Sequence, residues 1–325
     1  MKKIIGTLLF AALLTVSCEH QEAQLIPQRK AISFSTEPVV TKTTYSGEVQ
    51  GGKEAIYWKT GDIFSVWCDE ATVGEGTQKW ANYRVTASSS GAATSIVAKD
   101  EEMMWGEGTH HFYAAYPMGG LTGNKLSATI PASQSVSKSG LVYSPSLSGY
   151  GFMVAAANAT PDAGAVNLHF KPVFSTLEFI VSPASADVEV SAFRVERASG
   201  APLVGDFQVT ISATANPSVN VTSSSSTINV NLGSAVSVPK NQTLTISVIA
   251  LPIALSNLTA VFTVGGEEIS LPLNDKTTGS PITFAARKKS RIRALGILAP
   301  ETEPEDNPTD FNADIDDQDV DEYDL

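Results

Sequence analysis

Few residues in this chain are of types that do chemistry, and they are widely spaced. There are two cysteines and four histidines in 325 residues. Cys18 follows Leu14-Thr15-Val16-Ser17 at the end of an apolar run, Ile4 to Val16, that Lys2 and Lys3 precede. The run is too short and wrongly flanked to span a bilayer. A small residue directly before the thiol gives it the form of a lipoprotein signal, in which Cys18 is acylated and becomes the new N-terminus. Thr15 stands where such a signal usually has Leu, and an ordinary secretory signal containing a Cys is the plainer alternative. Cys68 is then the one remaining thiol, which leaves no internal disulfide framework. Its alternating apolar surroundings predict a buried, inert thiol.

Catalytic chemistry finds no foothold. The sequence contains no G-x-S-x-G, H-E-x-x-H, C-x-x-C or P-loop pattern. His110 and His111 are adjacent, so on a strand they face opposite sides and share no metal. Asp100-Glu101-Glu102 reads as a solvated charge run before Met103-Met104-Trp105. Asp310, Asn312, Asp314, Asp316 and Asp321 follow calcium-loop spacing, but Ile315 stands where the turn needs Gly and Asp321 where a bidentate Glu belongs. No enzyme, metal or cofactor is therefore expected. Trp58, Trp67, Trp80 and Trp105 read chiefly as core or domain-interface residues, with sugar stacking as the functional alternative.

The elements that position these residues are strands. Charged residues make up 17% of the chain, against roughly 25% in ordinary soluble proteins. Of 34 acidic residues, 12 follow Ala299, and the 22 that remain balance 22 basic ones. A neutral body with no basic stripe argues against nucleic acid as a partner. Alternation recurs at Ile32 to Phe34, Ile63 to Cys68, Phe112 to Tyr116, Phe152 to Ala156, Ile228 to Leu232 and Leu244 to Ala250. Gly265-Gly266 predicts a two-residue hairpin that pairs Val264 with Glu267, Phe262 with Ile269, Ala260 with Leu271 and Leu258 with Leu273. Many short strands at close spacing predict sandwiches or barrels. The polar stretch Asn158 to Gly164 marks a seam ahead of Val166, Leu168 and Phe170. The acidic tail is expected to be disordered in the isolated chain.

Several segments, in order, resemble the Bacteroidales fimbrillin family of the Mfa-like and FimA type. Trp58-Lys59-Thr60-Gly61-Asp62 leads into a strand as the family's W-x-x-G-D segment does. Ala114-Ala115-Tyr116-Pro117 is similar to its A-x-Y-P strand end, and Pro131-Ala132-Ser133-Gln134 to its P-x-x-Q step. Phe152 to Ala156 and Leu168 to Ser175 resemble the entry into the second domain.

The resemblance implies an all-β protein of two transthyretin-like β-sandwich domains in tandem. On that reading residues 1–17 are the signal, 18–31 a lipidated segment, 32–162 and 163–299 the two sandwiches, and 300–325 the disordered acidic tail. It also implies a surface lipoprotein that acts as a fimbrial stalk, tip or anchor subunit and supports adhesion. Its partners would be other subunits, the outer membrane through a lipid on Cys18, and a host or bacterial surface ligand. Assembly in the family proceeds by β-strand donation after an Arg-specific cut. Here Arg29 is the candidate cleavage site, and Ile292, Ala294, Gly296 and Leu298 form one face of the candidate donor strand. The alternative is a monomeric outer-membrane lipoprotein that binds glycan or host protein.

Overall fold

The computed structural model describes residues 29–36, 45–50, 53–56, 58–89, 92–275, 277–299 and 314–318. Cys18, the signal and most of the acidic tail lie outside these. The fold is all-β, as expected.

The Gly-Gly hairpin forms in the expected register. Leu258–Val264 pairs antiparallel with Glu267–Pro272, setting Val264 against Glu267, Phe262 against Ile269 and Ala260 against Leu271. Gly265 and Gly266 adopt φ of 60° and 94°, the left-handed pair that a two-residue turn matched to strand twist requires. Leu258, Ala260, Phe262 and Val264 are all buried.

A six-stranded sheet carries the early segments, in the order Lys171–Pro172, Met153–Ala159, His110–Tyr116, Ile63–Trp67, Trp80–Ser89 and Ala92–Ala98. Phe64, Val66, Tyr83, Val85 and Phe112 point to its buried face. Phe34 crosses over them, with ring centroids 4.6 Å from Tyr83 and 5.5 Å from Phe112.

The larger sheet holds eleven strands among the described residues. Its hydrogen-bonded path runs from Glu267–Pro272 through Leu258–Val264, Val188–Arg197, Thr227–Asn231, Ser133–Ser139, Val142–Pro145, Leu244–Ala250 and Ser175–Pro183 to Lys289–Leu298 and Asp314–Gln318. Two strands of this path, Ser133–Ser139 and Val142–Pro145, come from the first half of the chain. Lys125–Ile130 likewise pairs with Gly205–Thr210.

Sheet membership therefore does not follow the expected linear division at residues 162 and 163. The chain leaves the six-stranded sheet after Tyr116, contributes strands to later sheets, and returns at Met153, which pairs with Tyr116 itself. At the other side of the expected seam, Val166–Asn167 pairs with Phe34–Ser35 and Lys171–Pro172 with Met153 and Val154. The reason is that alternation marks a half-buried strand without marking which sheet will pair with it.

Gln134 anchors this crossing. It is fully buried, and its carboxamide oxygen accepts from the Ile249 amide at 2.9 Å while its nitrogen donates to the Ile249 carbonyl at 2.6 Å. A side chain thus supplies both bonds that a neighbouring strand would give one residue.

Glu178 performs the corresponding task beneath Lys289–Leu298. Its carboxylate receives Lys289 Nζ at 2.8 Å and Arg291 Nε at 2.6 Å. Burial disfavours its charge, yet the two cations and their hydrogen bonds outweigh burial and hold the carboxyl below its ordinary range.

Two measurements check these anchors. Gln134→Ala leaves the Ile249 amide and carbonyl buried and unpaired, at roughly 1–3 kcal/mol for each group, so its urea midpoint should fall well below that of the parent. Glu178 has a depressed folded pKa, so its stabilisation is present above the unfolded carboxylate pKa and disappears as pH falls through the folded value. The parent should lose stability below about pH 4, whereas Glu178→Gln, less stable at neutral pH, should lose less on acidification. Equal acid limbs in the two proteins would refute the assignment.

Candidate subunit interface

Residues 29–36 are built into the body from Lys30 onward. The Lys30 carbonyl accepts from the Trp105 amide at 3.0 Å, and the Ile32 amide donates to the Met103 carbonyl at 2.7 Å. Ile32, Phe34 and Thr36 are buried. Arg29 is exposed, its guanidinium reaching Thr72 Oγ1 at 2.9 Å. A peptide bond broken after Arg29 would remove the Thr72 contact and leave those of Lys30 onward in place.

Lys289–Leu298 lies near the end of the larger sheet. It runs parallel to Ser175–Pro183, with Phe179 opposite Ile292 and Val181 opposite Ala294. Ile292, Ala294 and Leu298 are buried, as alternation requires, but Gly296 is exposed and Ile297 is buried in its place. The departure comes from a register shift after Val181, where Gly296 takes φ of 72°. A residue in that left-handed region breaks the two-residue period, and Gly is the residue that adopts it without strain. Ser182 Oγ accepts the Gly296 amide at 2.9 Å.

The far edge of Lys289–Leu298 meets the tail. Asp314–Gln318, the described part of the tail, pairs with it antiparallel. The register sets Arg291 across from Asp316 and Arg293 across from Asp314.

Separate sequence segments converge in the core of the six-stranded sheet. Trp58 lies against Tyr116, Phe170 and Phe64, with ring centroids 5.3, 5.1 and 5.8 Å away. Asp62 accepts from the Lys59 amide at 2.7 Å and from the Tyr116 hydroxyl at 3.1 Å. Burial and the Asp62 carboxylate push the Tyr116 phenol well above its usual range, so it stays a donor. The spacing of these residues in the sequence gave no sign of that mutual contact.

One cluster does bring thiol, carboxylate and imidazole together. Cys68 Sγ donates to Glu70 Oε2 at 3.2 Å, and His111 Nδ1 lies 2.8 Å from Glu70 Oε1. Burial and the bond to Glu70 push the Cys68 thiol up to about 12. Burial also opposes charge on Glu70, but bonds from the His111 ring and amide and from Cys68 bring its pKa down to about 2. The imidazole is bonded to the carboxylate and the thiol remains protonated, the reverse of an activated nucleophile. His110 faces inward, accepting the Gly106 amide at Nε2 and bonding the Gly108 carbonyl through Nδ1. No group of three metal-ligating side chains occurs among the described residues. No helix among them is long and apolar enough to cross a membrane.

Comparison with known proteins places this architecture. A candidate cell adhesion protein from Bacteroides uniformis matches with a TM-score of 0.50 at 14% identity, over 82% of this chain and 92% of that one. Another from Bacteroides ovatus gives a TM-score of 0.48 at 13% identity, over 82% and 92%. The tip fimbrial protein Mfa3 from Porphyromonas gingivalis gives 0.39 at 9% identity, over 75% and 92%. A search of curated proteins returns no match. The sequence profile of the fimbrillin-like family matches residues 40–295, and the chain belongs to that family.

Proposed function

We propose that the protein is a fimbrial subunit, a structural and adhesive protein rather than an enzyme, that joins its neighbours by β-strand exchange at the edge of Lys289–Leu298. The observation that carries this reading is the antiparallel register of Asp314–Gln318 on that edge. A strand edge offers unpaired amides and carbonyls, and a segment added there gains main-chain hydrogen bonds. Asp314–Gln318 touches the sheet at its margin only, so it can leave without opening the core.

Donation by Ile292, Ala294, Gly296 and Leu298 themselves is more costly. Removing Lys289–Leu298 would break its parallel pairing with Ser175–Pro183 and leave Glu178 buried without Lys289 or Arg291. Uncovering a buried charge in this way costs roughly 3–5 kcal/mol. The tail is therefore the better exchangeable element: the tail of one copy adds to the edge of the next, a head-to-tail contact that repeats without closing. Acylated Cys18 would hold the unprocessed chain at the outer membrane, and cleavage after Arg29 would release it with its folded body intact.

Sheared surface material run unheated beside boiled tests this reading. The parent should give a ladder that collapses on boiling, and its mature N-terminus should be Lys30. Deletion of residues 300–325 should abolish the ladder while leaving a folded monomer, and Arg29→Ala should keep the protein in the membrane. A ladder that survives the tail deletion at full strength would remove tail exchange.

A further inference from the structure

The outer face of the six-stranded sheet carries a row of aromatic rings. Register sets Tyr113 beside Trp67 and Trp67 beside Trp80, on three adjacent strands. Facing residues of an antiparallel pair share a face, and this face is opposite to that of Phe64, Val66 and Tyr83. With strands roughly 4.8 Å apart, the row is about 10 Å long. Tyr113 and Trp67 are half-buried, and Trp80 is 41% exposed. Two of the four tryptophans, Trp58 and Trp105, are buried as core residues. Trp67 and Trp80 are not.

The row is held rather than loose. The Trp67 indole N–H donates to Asp69 Oδ1 at 3.0 Å. Gln78 Nε2 donates to the Trp80 carbonyl at 2.7 Å. Near Ser65 the same face is covered, since the Gly119 amide donates to Ser65 Oγ. The aromatic end stays open.

Trp80 also lines a cleft of about 520 Å³ together with Thr77, Gln78, Asn82, Asp100 and Glu101. Ser65 Oγ donates to the Asn82 carboxamide oxygen at 2.7 Å, which leaves the Asn82 amide nitrogen to donate elsewhere. Among the described residues, no Lys or Arg lines the cleft. The site thus offers an indole beside carboxamide donors and carboxylate acceptors, and carries negative charge only.

We infer that the Trp80 cleft binds a saccharide without acidic groups, a neutral or amino sugar. The face of a pyranose is a patch of C–H groups that stacks on the electron-rich face of an indole. Its rim of hydroxyls needs both donors and acceptors, which Asn82, Gln78, Asp100 and Glu101 supply. A few placed polar groups around an apolar platform are the usual composition of a small-ligand site. Asp100 and Glu101 repel sialylated and sulfated glycans, while an ammonium on an amino sugar would be favoured. The cleft lies in the six-stranded sheet and the tail pairs with the other, so this inference stands apart from strand exchange.

The test uses the full chain in detergent on an array of neutral, amino, sialylated and sulfated oligosaccharides, followed by titration with the best neutral or amino hit. Trp80→Ala should weaken binding about tenfold or more with an unchanged melting temperature, because Trp80 packs no core. Asp100→Ala, at the rim, should weaken binding as well without loss of fold. Signal confined to acidic glycans, no signal on any class, or binding equal in parent and both variants would overturn the assignment.

Discussion

The two bonds between the Gln134 side chain and the backbone of Ile249 are what the rest of the architecture depends on. They fix a segment that departs from one sheet to where it can pair in another. Backbone groups buried without partners are costly, and here a side chain, not a strand, meets that requirement. Once Gln134 is seated, Ser133–Ser139 pairs with Thr227–Asn231 on one side and Val142–Pro145 on the other, and the larger sheet becomes continuous. The return to Met153 then closes the six-stranded sheet against Tyr116. Neither sheet is complete until the other has accepted its share of the chain.

This interleaving marks the boundary between what the sequence disclosed and what it withheld. The Gly265-Gly266 hairpin was legible because a two-residue turn fixes register locally, with every contact within a few residues. The pairing of Gln134 with Ile249 spans 115 residues, and no alternation pattern encodes so distant a partner. The segments around Trp58, Asp62, Tyr116 and Phe170 were recognisable one by one. Their convergence was not, because it depends on sheet order. Gly296 failed for a different reason. A strict period of two put it inward, whereas its positive φ turns the strand there and Ile297 takes the buried position.

The candidate sites divide in the same way. Cys18 is read from sequence context and lies outside the described residues. Arg29 was legible as a basic residue ahead of a strand, and its exposure agrees with that placement. The pairing of Asp314–Gln318 with Lys289–Leu298 was not legible, since composition alone made the tail a solvated segment. Trp67 and Trp80 looked no different from Trp58 and Trp105 until register put them beside Tyr113 on the outward face. In each case residue type suggested a chemistry, and the sheet decided whether the residue met solvent.

The parallel alignment of Lys289–Leu298 with Ser175–Pro183 has a mechanical consequence. The strand's C-terminal end leads to the tail, whereas the N-terminal end of its neighbour leads back towards the six-stranded sheet. Tension between those two points pulls the strands lengthwise past each other, so their hydrogen bonds bear load together rather than parting one after another. Glu178, clamped to Lys289 and Arg291, resists the same sliding. A strand pair of this geometry resists lengthwise pulling better than it resists peeling from one end.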